Sequence, residues 1–226
     1  MSTLQTLDRG IRALFVVAGK PAGLTVADLA AELDVARAIC YRLVSTLEGH
    51  GLLTRDSGGR IYLGAGLPAL ATSYWPSFLS RATAALQALA DRTNATAFLS
   101  VAERDDAVAV VSLDPSSTSL LRIGYRVGSR HPLLRGAAGI AILSGRPPAP
   151  SDSAEVVTAR ELGYSITRGQ LQAGAVGIAA PIRSTNPAIP EASVGLVALE
   201  DFDAEAAAPI LVATARHIGG AAPMRS

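Results

Sequence analysis

Apolar positions recur at helical spacing over the first quarter of the chain, and the remainder mixes amphipathic helices with β-rich runs. From Leu4 to Val17 the apolar side chains at Leu7, Ile11, Leu14 and Phe15 follow a helical repeat. Lys20-Pro21-Ala22-Gly23 is a turn. Thr25-Val26-Ala27-Asp28 has the form of a capping box with a carboxylate acceptor, and it opens a short helix that ends at Leu33. Asp34-Val35 leaves room for a tight link only. Ala36 to Gly51 then predicts a second helix, with Ile39, Leu43 and Leu47 on one stripe and Cys40 beside them. Arg37, Ala38, Tyr41 and Ser45 fall on the opposite side, with Arg42 and Thr46 on its flanks.

Two short helices joined by so short a turn form a helix-turn-helix unit. Gly51 stops the second helix as a C′ glycine does. Leu52 to Arg55, the turn Asp56-Ser57-Gly58-Gly59, and Arg60 to Leu63 predict a hairpin with an arginine on each side of its turn. A helix-turn-helix followed by such a hairpin is a winged unit. Its recognition helix would read base edges in a major groove, and Arg55 and Arg60 on the wing would meet the sugar-phosphate backbone or the minor groove. The alternative is a three-helix packing unit that meets no nucleic acid.

Beyond the hairpin, residues 65–76 predict a connecting helix that ends at Pro76. Leu79 to Thr93 is amphipathic and helical. Thr96 to Ala102 and Ala107 to Leu113 are strands that should pair across a polar turn, and Ser119 to Tyr125 is a further strand candidate. Gly128 to His131 is a loop. Gly136 to Leu143 predicts a helix of small residues. Pro147 to Asp152 is a flexible connection, followed by a helix over 155–162 that stops at Gly163, and a strand over 164–167. Strands at 176–182 and 192–199 and a helix at 204–218 close the chain. The fold class is α+β: a winged helix-turn-helix at 1–64, a linker helix at 65–76, and an antiparallel sheet covered by helices at 77–226.

Composition narrows the function. Formal net charge is +1, and residues 1–64 carry seven Lys plus Arg against six Asp plus Glu. DNA would therefore be held by a few placed arginines, doubled by dimerisation, rather than by a generally basic surface. There are 19 arginines and one lysine, which favours planar, bidentate contacts. One cysteine excludes an intrachain disulfide and a multi-cysteine zinc site, and Cys40 falls on the core side of its helix. His50, His131 and His217 are far apart and form no ligand-spaced pair, so no metal site and no cofactor are expected. Asp105-Asp106 is a solvated turn, Gly136 to Gly139 lacks the lysine of a P-loop, and no serine sits on a nucleophile elbow. No catalytic residue can be named, and an enzyme is not expected. The start of the chain lacks a signal-peptide pattern, and glycine, proline and charge interrupt every apolar run, so a cytoplasmic protein without a membrane partner is expected.

Five segments in order, LDRGIRAL, VADLAAELDVARAICYRLVSTLEGHGLL, YLGAGLPALA, GSRHPLLRGAAGIAIL and GYSITRGQLQAGAVGIAAPI, resemble the isocitrate lyase regulator (IclR) family of bacterial transcription factors along nearly the whole chain. The resemblance implies an N-terminal winged helix-turn-helix and a C-terminal GAF-like effector domain. It implies a homodimer or dimer of dimers on palindromic double-stranded DNA, and a small-molecule effector. By the same resemblance Thr25, Arg37, Ala38, Tyr41, Arg42, Ser45, Thr46, Arg55 and Arg60 would serve DNA. Leu120, Ile123, His131, Ala137, Ala138, Thr167, Gly177, Gly195 and Ala198 would line the effector pocket. The chain departs from the family at Leu134, where a histidine is usual, at Ile140, where a lysine is usual, and at Gln170, where a glutamate is common. These departures make the expected pocket less polar and shift the expected effector towards an aromatic or weakly polar molecule. They also keep open the alternative of a C-terminal domain that only oligomerises the DNA-binding heads.

Overall fold

In the computed structural model, which describes residues 4–117, 123–187 and 189–220, the chain divides into two compact units, residues 1–74 and 75–226. The first unit holds α1 (Gln5–Ala18), α2 (Val26–Glu32), α3 (Arg37–Gly49), β1 (Leu53–Arg55), β2 (Ile61–Leu63) and α4 (Gly66–Ala71). Its core gathers Ala13 and Val17 of α1, Leu29 and Ala30 of α2, Cys40, Leu43 and Val44 of α3, and Leu53 and Ile61 of the hairpin. The capping box is present: the Thr25 hydroxyl accepts from Asp28 N, while Asp28 Oδ2 accepts from Thr25 N at 3.1 Å. Asp34, at φ 52°, turns the chain between α2 and α3, and Gly51, at φ 68°, turns it out of α3. The hairpin gains a third member where Leu24 and Ile61 exchange backbone hydrogen bonds.

Two expectations change in this unit. Ile39 is 39% exposed, while Val44 is fully buried. The buried stripe of α3 centres on Cys40 and Val44, with Leu43 and Leu47 beside it, and Ile39 lies about a third of a turn away from that centre. The helix after the hairpin is also shorter than expected, because Pro76 does not end it. Pro76 opens the next helix, where a missing N–H costs nothing.

The second unit holds α5 (Pro76–Thr93), β3 (Thr96–Glu103), β4 (Asp106–Leu113), β5 (Arg130–Pro132), α6 (Gly136–Gly145), α7 (Ala154–Leu162), β6 (Ser165–Arg168), β7 (Ala175–Ile182), β8 (Ala192–Leu199) and α8 (Ala204–Gly219). Six strands form an antiparallel sheet in the order β5-β4-β3-β8-β7-β6. Alternation along β7 and β8 divides the two faces. Val176, Ile178, Ala180, Val194 and Leu196 join Leu86, Leu89 and Leu211 under α5 and α8. Ala175, Ala179, Phe98 and Val197 meet α6 on the other face. The α6 face is therefore built from smaller residues, with Gly177, Ser193 and Gly195 in the same alternation.

The structure adds a strand and loosens another expectation. Arg130 and His131, expected as loop, pair together with Pro132 against Asp106 to Val108 and form the edge strand β5. Of the strand expected over 119–125, residues 119–122 lie outside the described residues, and 123–125 are not in a strand. The connection before α7 is tied down: Asp152 accepts from Ala149 N at 2.9 Å and pairs with Arg160 at 2.9 Å.

Thr25→Ala should destabilise the chain by about 1 kcal/mol, as loss of an N-cap does. The Thr25 hydrogen bonds hold the Asp28 carboxyl below its ordinary value, so their stabilisation is present above the unfolded carboxylate pKa and fades as the pH falls through the lower folded value. Denaturant unfolding at neutral pH and at about pH 3 should therefore show a smaller penalty for Thr25→Ala in acid.

Candidate nucleic-acid interface and ligand cavity

Burial of Cys40, Leu43 and Val44 decides which side of α3 faces outward. Arg37, Ala38, Tyr41, Arg42, Ser45 and Thr46 are all exposed, and Tyr41 is 52% exposed. Among the described residues the Arg37 and Arg42 guanidinium groups form no ion pair or hydrogen bond. The result is an outward ridge of two free guanidinium groups, a phenol, a small hydroxyl and a methyl. Exposed Ile39, which the sequence assigned to the core, adds an aliphatic group at the flank. Guanidinium can take guanine edges bidentately, hydroxyls can meet phosphates or bases, and methyl groups can contact thymine.

Four of the nine residues expected at DNA, Thr46 of α3 among them, have side chains tied into the unit itself. The Thr25 hydroxyl belongs to the α2 cap, donating to Asp28 Oδ2 at 2.8 Å. The Thr46 hydroxyl donates back to the Arg42 carbonyl at 2.9 Å. Arg60 Nη1 donates to the Gly23 carbonyl at 3.1 Å. Arg55 pairs with Glu48, Nε to Oε1 at 2.8 Å, and its Cζ lies 5.8 Å from the Tyr41 ring centroid. The tip of the hairpin instead presents Asp56. Its Oδ1 accepts from Gly58 N and Arg60 N, both at 2.9 Å, and its Oδ2 accepts from the Tyr62 hydroxyl. These bonds, led by the Arg60 amide, hold the Asp56 carboxyl below its usual range. Sequence reasoning missed this turn-locking role, although an Asp that opens an Asp-Ser-Gly-Gly turn is a known signal for bonding its own backbone.

The second unit contains a cavity of about 320 Å³ between the sheet and the start of α6. Phe98 and Tyr125 stack with ring centroids 4.3 Å apart and planes at 25°. His131, only 8% exposed, stands edge-on to Tyr125 and meets its hydroxyl through Nε2 at 2.8 Å. His131 Nδ1 lies 3.3 Å from the Pro132 carbonyl. That carbonyl can only accept, so in a neutral ring a proton on Nδ1 would suit it and leave Nε2 to accept from Tyr125. Burial pushes the Tyr125 phenol up, opposed by Ser100. The phenol therefore stays protonated and donating at neutral pH.

The N-terminus of α6 closes one wall. Thr167 Oγ1 accepts from Ala137 N at 3.1 Å, and Gln170 Oε1 accepts from Gly136 N at 2.9 Å. Ser165 and Ser193 donate to the Ala137 and Ala138 carbonyls. Hydroxyls on the small-residue face of the sheet thus seat the helix from below. At the rim, Arg130 is paired with Glu103 and Asp106, whereas Arg126 makes no ion pair among the described residues.

Of the residues expected in the pocket, Ile123, His131, Ala137, Ala138, Thr167 and Gly177 line this one cavity. Leu120 lies outside the described residues. Gly195 and Ala198 do not line it. They sit three apart on β8, so they cannot share a face. Ala198 packs towards the α5 and α8 side, and Gly195 makes room for Phe98, whose ring would meet any Cβ placed there. Phe98, Tyr125 and Arg126 went unnoticed in the sequence, and Gln170 was noted only as a departure from the family. Phe98 alone had a signal, since strand alternation puts it on the same face as Ser100.

Comparison with known proteins bears on both regions. Residues 6–57 match the IclR helix-turn-helix domain. The glycerol operon regulatory protein of Streptomyces griseus is 29% identical over 167 residues, which are 73% of this chain and 65% of that protein. The chain thus aligns with under two thirds of that relative's length. An IclR homologue from Microbacterium hydrocarbonoxydans, solved in complex with 4-hydroxybenzoate, superposes with a TM-score of 0.76 at 22% identity, covering 96% of this chain and 98% of its own. The IclR transcriptional regulator of Alicyclobacillus acidocaldarius gives 0.74 at 22% identity, covering 97% and 99%. At that identity the two structures speak for the fold.

Gly195→Ala should lower stability by about 1–3 kcal/mol, because its Cβ would meet the Phe98 ring and lie 2.8 Å from the Ile178 carbonyl oxygen. Thermal unfolding measures this, and a neutral effect would mean that Phe98 has room to move.

Proposed function

We propose that this member of the IclR family, recognised by its N-terminal domain and its fold, is a sequence-specific DNA-binding transcriptional regulator tuned by a small organic molecule. The observation that carries the reading is the outward face of α3. It holds Arg37, Tyr41, Arg42 and Ser45 exposed while the opposite side of the helix is buried. Two such helices, paired in a homodimer or a dimer of dimers, suit a palindromic operator in double-stranded DNA. Repression follows when the operator overlaps a promoter, and the protein then works in the cytoplasm.

The cavity supports the second half of the reading. Its volume suits a single ring with one or two polar substituents. The stacked Phe98 and Tyr125 offer an aromatic surface, the small walls at Ala137, Ala138 and Ala175 leave space, and Arg126, in no ion pair among the described residues, offers a positive charge at the rim. This favours a monocyclic aromatic, with or without an acid group, as the effector class. The Microbacterium homologue, which holds 4-hydroxybenzoate, points the same way. The Arg126 guanidinium restores the acid group that the departures at Leu134, Ile140 and Gln170 argued against. A second unit that only joins the DNA-binding heads remains the competing account, and it requires operator affinity to ignore every ligand.

One titration separates these accounts. A duplex selected by the wild-type protein from a random pool should be bound about tenfold or more weakly by Arg37→Ala and by Tyr41→Ala, with the oligomeric state unchanged. Unchanged affinity in both variants would remove α3 from the DNA face. In the same assay, 4-hydroxybenzoate and related monocyclic aromatics should shift affinity for the wild-type protein and raise its melting temperature. Aromatics that alter neither would favour the competing account.

A further inference from the structure

Arg55 offers an inference that the wing's general role does not contain. It ends β1, next to the hairpin turn, where an arginine of a wing would be expected to reach for a phosphate. Its guanidinium points the other way. Nε and Nη2 donate to Oε1 and Oε2 of Glu48, at 2.8 and 3.3 Å, in a two-pronged pair. Both side chains are more than two thirds buried, with 29% and 28% exposure. The Arg55 charge is therefore balanced within the protein, and two of its donors are occupied.

The same guanidinium lies over Tyr41, 5.8 Å from the ring centroid. Tyr41 and Glu48 are seven residues apart on α3, two helical turns, and so share a side of the helix. Arg55 crosses the gap between them from the wing strand. Glu48 fixes the guanidinium, and the guanidinium in turn covers one face of the Tyr41 ring. An exposed tyrosine on a helix otherwise exchanges between rotamers, and a ring held in one of them meets DNA with less ordering still to be done.

Resting on the DNA-reading role proposed for α3, we propose that Arg55 is a positioning residue. Anchored by Glu48, it holds the Tyr41 ring in the orientation that meets the duplex, and it makes no phosphate contact of its own. The wing thus acts on recognition through Tyr41.

The test compares salt dependence with coupling, using the full chain and the selected duplex. Arg55→Met should weaken binding roughly threefold to tenfold while leaving the slope of log affinity against log salt unchanged. Arg42→Met, the control for an uncompensated arginine on α3, should reduce that slope by about one for each operator arm. In a Tyr41→Ala background, Arg55→Met should cost little more, because the ring it positions is gone. Glu48→Gln keeps the guanidinium, removes its anchor, and guards against a poorly folded Arg55→Met. Bulk electrostatics predicts tighter binding for this variant, since a negative charge is lost. The positioning role predicts weaker binding, again masked by Tyr41→Ala.

A reduced salt slope or unchanged affinity in Arg55→Met would overturn the inference. So would additive losses with Tyr41→Ala, or unchanged or tighter binding by Glu48→Gln. If Arg37→Ala, Tyr41→Ala and Arg42→Met all bind like the wild type, the DNA reading of α3 fails and takes this inference with it. If those three weaken binding and Arg55→Met does not, the inference alone fails.

Discussion

The contact on which the first unit depends is the burial of Cys40, Leu43 and Val44 against α1, α2 and the hairpin. Apolar area removed from water is non-directional, but three such side chains on one side of a helix fix its rotation about its own axis. Once that rotation is set, Arg37, Tyr41, Arg42 and Ser45 must point outward. The outer face needs no packing partner, so its residues are free to be chosen for chemistry. The wing then locks to this helix through the Glu48–Arg55 pair, and its own turn is closed by Asp56. The unit as a whole is nearly neutral in charge. On the proposed reading, DNA would be held by Arg37 and Arg42, unpaired among the described residues, rather than by a broad positive field.

The second unit solves a different problem on the two faces of one sheet. Valine, isoleucine and leucine on one face make a tight core with α5 and α8. Alanine, glycine and serine on the other let α6 come close and still leave room for a cavity. Close approach would leave backbone carbonyls of α6 without water, and Ser165 and Ser193 donate to them. The same small residues that seat the helix thus create the space that a ring-shaped ligand would fill. Gly195 shows how narrow the tolerance is, since the Phe98 floor of the cavity lies directly across it.

Much of this was legible in the residues, and the failures have common physical causes. Signals carried by a few neighbouring residues came through: the Thr25 cap, the Gly51 stop, the hairpin turn and the β-rich runs of β3, β7 and β8. The strand β5 did not, because three residues become a strand only by pairing with Asp106 to Val108, more than twenty positions earlier. Pro76 was misjudged because proline both ends helices and opens them. Arg55 and Arg60 were expected at the sugar-phosphate backbone or the minor groove, and sequence position could not show that Glu48 and the Gly23 carbonyl, from other elements, accept hydrogen bonds from them. Gly195 and Ala198 could have been separated in advance, since a strand cannot turn residues three apart to one face.

The most direct test of the account is a crosslink. A photoreactive side chain placed at exposed Ala38 on α3 should form a covalent adduct with the selected duplex, and the same group at Val157, exposed on α7 of the second unit, should not. Adducts from Val157 with none from Ala38 would contradict the outward face of α3 as the surface that reads DNA.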